Sequence, residues 1–215
     1  MLQFDSYPTI VSRLMKVLHV TETLPGGIAS YLSELVIPQS KEFGSDNLRF
    51  VLPAEQVHHV EGLKAKQIYS YRSGEGRSLA SLWRLSQAIR QACREFQPDI
   101  IHLHSSFAGG VGRLTLLPSK YRPKIVYCAH GWVFGVSPLK SLIFRSAERF
   151  LYPFTDAIIN ISDAEFKLAR SVGLPAKKMV TIRNGSSAPT PPELKDLPKR
   201  KAKLEFMFMG RFDPQ

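Results

Sequence analysis

Three short stretches place chemically capable residues where a chain can present them. The first is TETLPGGIASYLSEL, in which Gly26 and Gly27 separate an apolar run from a helical pattern. Glycines at such a turn let a ligand approach backbone N–H groups at a helix N-terminus, which carries roughly half a positive charge, so the pair suits an anion or a sugar hydroxyl. An ordinary tight turn asks for the same residues. The second is PDIIHLHSSFAGG, where the spacing sets His102 and His104 on one face of a strand, with His104 at its carboxyl end. His104 is expected to bind substrate and His102 to sit in the core. No Cys, Asp or Glu follows closely, so a metal centre is not expected. The third, KIVYCAHGWVFG, puts His130 just past a buried strand, with Gly131 allowing close approach. A histidine there can contact a substrate hydroxyl or a developing charge, and a buried structural histidine fits the same pattern.

The elements that must hold these residues follow from the apolar pattern. Seven strand-like runs, at 16–21, 48–52, 66–69, 99–103, 124–129, 156–161 and 179–182, alternate over most of the chain with helical patterns at 28–43, 79–96, 138–152 and 163–172. That alternation predicts crossover units, hence an α/β fold with a Rossmann-like parallel sheet and helices on both faces. Runs such as KVLHV, KIVYCA and DAIINI are apolar on both faces, as a doubly covered sheet requires. Ligands of such sheets bind at the carboxyl ends of the strands, where Gly26, Gly27, His104 and His130 all fall. Ser162 before DAE reads as a helix N-cap, and Gly173 followed by Pro175 as that helix's stop. The turn is not G-x-G-x-x-G, and no acidic residue ends the second strand, which weighs against a dinucleotide dehydrogenase.

The same pass divides the chain. Residues 1–14 read as an upstream mis-start or a disordered arm, and residues 15–183 as the Rossmann-like domain. Residues 184–203, NGSSAPTPPELKDLPKRKAK, lack apolar periodicity and read as a linker. Residues 204–215 open with LEFMFMG, the expected first strand of a second domain that breaks off.

Across 215 residues, Lys+Arg of 29 against Asp+Glu of 18 gives a formal charge of +11. Such a surface suits nucleic acid, an anionic membrane or a phosphorylated substrate. The basic residues are scattered and form no recognised module, so nucleic acid is not expected. The amphipathic segment 138–152, with Lys140, Arg145 and Arg149, could face lipid headgroups, and could equally pack on the sheet with its charges solvated. Cys93 and Cys128 fall in a helical pattern and a buried strand, not in a disulfide framework, and no apolar stretch is long enough to span a bilayer. A cytoplasmic protein is expected.

Read in order, KVLHVTETLPGGIASYL, PDIIHLHSSFAG, KIVYCAHG, FTDAIINISDAEFKLARSVGLPAKKMVTIRNG and FMFMGRFDPQ resemble the family 4 retaining glycosyltransferases of the GT-B fold, over residues 15–214. The resemblance implies two Rossmann-like domains facing each other across a cleft, the first binding the acceptor and the second most of the donor. It implies that Gly26 and Gly27 lie beside the donor phosphates and the acceptor, and that His130 lines the sugar site as the catalytic-site histidine. Arg211 would contact the donor diphosphate, for which a guanidinium offers bidentate charge-assisted bonds. It implies no cofactor and usually no metal, the nucleotide sugar being a substrate.

The implied reaction moves a hexose-type unit, with retention, to a glycan or lipid-linked acceptor in cell-surface polysaccharide or glycolipid synthesis. Its expected setting is cytoplasmic, with peripheral contact at the inner face of an anionic membrane. The diphosphate-binding lysine and paired-glutamate motif that would follow in the family are not in this chain, so the chain by itself is expected to be inactive. Two alternatives stand. A sugar-nucleotide epimerase shares the fold but needs acidic and basic groups in the cleft, and few acids mark the strand ends; the other is a non-catalytic basic binding module.

Overall fold

The computed structural model describes residues 15–74, 77–135 and 138–185. The expectations for residues 1–14, for the linker beyond Gly185, for the strand at 204–215 and for Arg211 lie outside them.

All seven apolar runs become strands. They are β1 Val17–Thr21, β2 Leu48–Pro53, β3 Ile68–Tyr71, β4 Ile100–His104, β5 Lys124–Cys128, β6 Ala157–Asn160 and β7 Met179–Thr181, in one wholly parallel sheet ordered β3-β2-β1-β4-β5-β6-β7. The third strand begins two residues later than its apolar run, because Ala65–Gln67 forms a 3-10 turn first. Gln67 holds that turn: its side chain accepts from the Lys64 N–H at 3.0 Å and donates to the Ser45 carbonyl at 3.0 Å.

Five α-helices are described: α1 Gly27–Phe43, α2 Leu79–Phe96, α3 Ser106–Leu116, α4 Pro138–Leu151 and α5 Asp163–Ser171. Four match the helical patterns. The fifth, α3, is a correction, since SFAGGVGRLTL contains three glycines, each costing a helix about 1 kcal/mol relative to alanine. Packing against the sheet is what they serve. A Cβ on Gly109 would overlap the Tyr127 ring, and one on Gly112 would stand 2.5 Å from Leu103. The glycines let α3 lie flat on β4 and β5, and tertiary burial outweighs their weak propensity.

The sheet separates two cores. On one face Leu18, Val20, Ile101, Leu103, Ile125 and Ile158 pack against residues of α2, α3 and α5. On the other, Val17, Leu48, Phe50 and Leu52 meet Ala29, Leu32 and Val36 of α1. Burying each such side chain is worth roughly 1.5–3 kcal/mol, which is the main reason the alternating faces choose this register. One buried ion pair ties α3 to α4. Arg113, wholly inaccessible, donates to both Glu148 oxygens at 2.9 Å and to the Gly109 carbonyl at 2.8 Å, while its guanidinium lies 4.2 Å from the Tyr127 ring centre.

The chain leaves β1 toward β2 on one side of the sheet and returns from β3 to β4 on the other. A crevice therefore opens between the carboxyl ends of β1 and β4, the switch point at which open parallel sheets bind ligands. The α1 and α3 helices begin there on opposite faces of the sheet. Among the described residues, no helix is long and apolar enough to cross a membrane.

Candidate active site

At the switch point, β1 ends into Glu22, β4 into Ser105 and β5 into Ala129 and His130. Ser105 donates its hydroxyl to the Glu22 carboxylate in a short contact and also caps α3, accepting from the Ala108 N–H at 3.3 Å. Arg77 pairs with the same carboxylate at 3.1 Å from the loop after β3. Burial pushes the Glu22 carboxyl up from its ordinary value, against the opposing pull of Ser105 and Arg77. Glu22 is thus an acid at a strand end that the sequence reading passed over. Beside it lies a cavity of about 410 Å³ lined by Glu22, Thr23, Gln56, Tyr71, Ser73 and Arg77.

Gly26 has φ 93° and ψ −145°, a conformation that favours glycine, and leads directly into α1. The first turn of α1 carries no side-chain cap and no acidic residue, and open space lies where a Cβ on Gly27 would stand. The Ala29 N–H donates to the Leu24 carbonyl at 3.1 Å, so it is the N–H groups of Gly27 and Ile28, with the positive end of the dipole, that this turn can offer a ligand.

His130 stands on the other side of this turn. Tyr31, one turn into α1, meets the His130 ring edge-on at 4.7 Å between centroids, which brings the glycine turn and this histidine together. His130 itself has φ 52°, and Ser105 has φ 81°. Two non-glycine residues in sparsely populated backbone regions, both at strand ends, mark stored strain of the kind found at ligand sites, on the order of 1–3 kcal/mol each.

Behind His130 the site is histidine throughout. His130 Nε2 lies 2.9 Å from His104 Nδ1, His104 Nε2 lies 3.0 Å from His19 Nδ1, and His19 Nε2 lies 2.7 Å from Gln39 Oε1 on α1. His104 is fully buried with both ring nitrogens engaged, so it supports His130 from within. His102 is also buried, its ring 4.0 Å from that of His104 and its Nε2 without a partner. Burial lowers His19 and His130 to about 4, and lowers His102 and His104 well below the usual range with further help from their histidine neighbours. All four are neutral at pH 7.

His19, His102 and His104 bring one ring nitrogen each within 4.8 Å of one another, a spacing a metal ion could use. A cation there would have to break the His19–His104 hydrogen bond and enter the core without a compensating charge. The sequence reading missed His19, Gln39, Glu22 and Ser105. Only the parallel register, which sets His19 beside His102 and Thr21 beside His104, draws the two histidine strands together.

Comparison with known proteins identifies the family and the fold. Residues 46–187 match the sequence profile described as Glycosyltransferase Family 4. The chain is 30% identical over 216 residues to an uncharacterised 41.2 kDa protein in the cps region of Klebsiella pneumoniae, covering 94% of the chain and 57% of that relative. Among solved structures, the apo lipopolysaccharide outer core galactosyltransferase WaaB superposes with a TM-score of 0.60 at 17% identity, over 86% of this chain and 50% of WaaB. Anabaena HepE in complex with UDP-glucose superposes with a TM-score of 0.55 at 19% identity, over 80% of this chain and 44% of HepE. The UDP-N-acetylglucosamine 2-epimerase of Rickettsia bellii reaches a TM-score of 0.55 at 14% identity, over 78% and 44%. These structural likenesses establish the fold, and the chain spans about half the length of the proteins it matches.

Proposed function

The chain belongs to Glycosyltransferase Family 4, and from that premise we propose that it is the acceptor-side domain of a retaining glycosyltransferase. The enzyme transfers a sugar from a nucleotide sugar to a glycan or lipid-linked acceptor, in the synthesis of a cell-surface polysaccharide or glycolipid. The observation that carries this reading is the meeting of the α1 N-terminus, which has no side-chain cap, with His130 across Tyr31, together with a cavity lined by Glu22, Tyr71 and Arg77 at the carboxyl ends of β1 and β3.

Each part has a task in that reading. Backbone N–H groups at Gly26 and Gly27 receive diphosphate or acceptor oxygens, where the helix dipole favours negative charge. Neutral His130 meets a hydroxyl of the transferring sugar. The cavity beside Glu22 holds the acceptor, its carboxylate, hydroxyl and guanidinium groups suiting a polyhydroxylated molecule. Arg211 contacts the donor diphosphate from the donor side. No cofactor is needed, since the nucleotide leaving group is stabilised by cationic side chains and helix dipoles.

The UDP-glucose named in the HepE structure and the cps region named for the Klebsiella relative both favour this substrate class. Contact with an anionic membrane from the cytoplasmic side is part of the reading. Leu142, Ile143 and Phe150 of α4 stand exposed beside Arg145, an apolar face with a cationic flank, while Arg149, itself exposed, donates to the Val172 carbonyl at 2.9 Å.

The test is transfer from radiolabelled nucleotide sugars to glycan and lipid-linked acceptor extracts, by the chain alone and by the chain joined to donor-side sequence. Transfer that needs the donor-side sequence, and that falls by about 10²-fold or more in His130→Ala, supports the reading. Conversion of the sugar nucleotide without acceptor would favour the epimerase instead. Salt-sensitive retention on DNA without any transfer would favour a binding module.

A further inference from the structure

The histidines behind the site form a directed series. A neutral imidazole has one N–H and one lone pair. Three neutral imidazoles joined end to end by single hydrogen bonds therefore have only two complete proton arrangements, one the reverse of the other. The group at the end away from His130 chooses between them.

That group is the Gln39 amide, whose oxygen faces His19 Nε2 at 2.7 Å. An oxygen can only accept, so His19 donates from Nε2 and accepts at Nδ1. His104 must then donate from Nε2 to His19 at 3.0 Å, and accept at Nδ1 from His130 Nε2 at 2.9 Å. His130 is left with its proton on the inward nitrogen and a bare lone pair on Nδ1. Burial keeps every member uncharged near neutral pH, so the order is not scrambled by a protonated ring. His102 lies tilted against His104 and makes no bond through Nε2, and Tyr31 meets the rings by its edge, so neither enters the series.

We infer that Gln39, acting through His19 and His104, is a positioning residue that fixes His130 as a neutral hydrogen-bond acceptor, making the sugar position selective for a hydroxyl over a carboxylate. The selectivity rests on the reading that His130 lines the sugar site; the proton order does not. A hexose hydroxyl donates to the bare Nδ1. A hexuronate carboxylate, which has no proton to give, meets lone pair with lone pair and loses its own hydration.

The experiment is ring-nitrogen NMR with 15N-labelled histidine, which reports which nitrogen of each neutral ring is protonated, first on the chain without ligand and then on the chain joined to donor-side sequence with a nucleotide hexose or nucleotide hexuronate. The expected result is an Nε2–H tautomer for His130 in the wild type and in Gln39→Glu, whose carboxylate also only accepts. In Gln39→Met, of similar size but without a polar end, that preference collapses to a mixture. Nucleotide hexose should shift the His130 resonances at concentrations about tenfold or more below those the hexuronate needs. An Nδ1–H tautomer in the wild type, or one indifferent to Gln39→Met, overturns the proton order whatever the sugar result. An Nε2–H tautomer with no preference for hexose overturns the selectivity and traces the failure to the sugar-site reading. Should Gln39→Met not fold, the wild type and Gln39→Glu still decide the proton order.

Discussion

The Ser105 hydroxyl donates to the Glu22 carboxylate, joining the end of β4 to the end of β1 across the switch point. Ser105 does this from a backbone at φ 81° while also capping α3, so three demands converge on one residue. Ser105→Ala keeps the backbone strain and removes both bonds; it should destabilise the fold by about 2–3 kcal/mol in urea unfolding. Ser105→Gly relieves the strain and should cost about 1 kcal/mol less than alanine. Equal losses would show that φ 81° carries no strain.

The glycines of α3 separate packing from propensity. Gly109→Ala and Gly112→Ala drive a methyl into Tyr127 and Leu103 and should each cost about 1–3 kcal/mol. Gly110 sits between them with open space where its Cβ would go, so Gly110→Ala should be neutral or stabilise by up to about 1 kcal/mol. Thermal unfolding of the three variants would show opposite signs within one helix. Uniform stabilisation would mean that α3 does not lie against the sheet.

Acid should weaken the fold well before carboxylates in general are protonated. The unfolded chain takes up histidine protons below about 6.5, whereas folded His19 and His130 resist until about 4. Stability held above pH 6.5 is therefore lost as pH falls from about 6.5 to 4, on the order of 3 kcal/mol for each of these residues. Glu22 and Glu165, raised by burial, act in the opposite sense and blunt the fall. Urea midpoints measured from pH 7.5 to 4.5 should drop across this window. A flat profile would mean that the histidines are not buried neutral.

Arg113 and Glu148 should be worth more together than either is alone. Glu148→Ala strands a guanidinium that is wholly inaccessible and is expected to cost about 3–5 kcal/mol. Replacing both, as Arg113→Met with Glu148→Leu, should recover most of that loss, because two apolar side chains carry no desolvation penalty. A double variant as unstable as the single would show that the pair's hydrogen bonds, not an orphaned charge, hold α3 to α4.

Local chemistry was readable wherever one segment contained its own reason. Seven apolar runs announced seven strands, GG before IASYL announced a turn and a helix, and Ser162 before DAE announced a cap, its hydroxyl accepting from the Glu165 N–H at 3.2 Å. His130 stood out because a polar ring followed a buried strand. Where the reason lay in another segment, the sequence was silent. Glycines that look like helix breakers are a helix's contact face only once Tyr127 and Leu103 are opposite them. His19 was an ordinary strand residue until the strand order put β1 against β4, which set it 85 positions away in sequence from a hydrogen-bonded partner. Gln39, Glu22 and Ser105 are unremarkable polar residues in a linear reading. Periodicity specifies which way a side chain points, but not which strand becomes the neighbour, and the order β3-β2-β1-β4 decides what each buried polar group can bond.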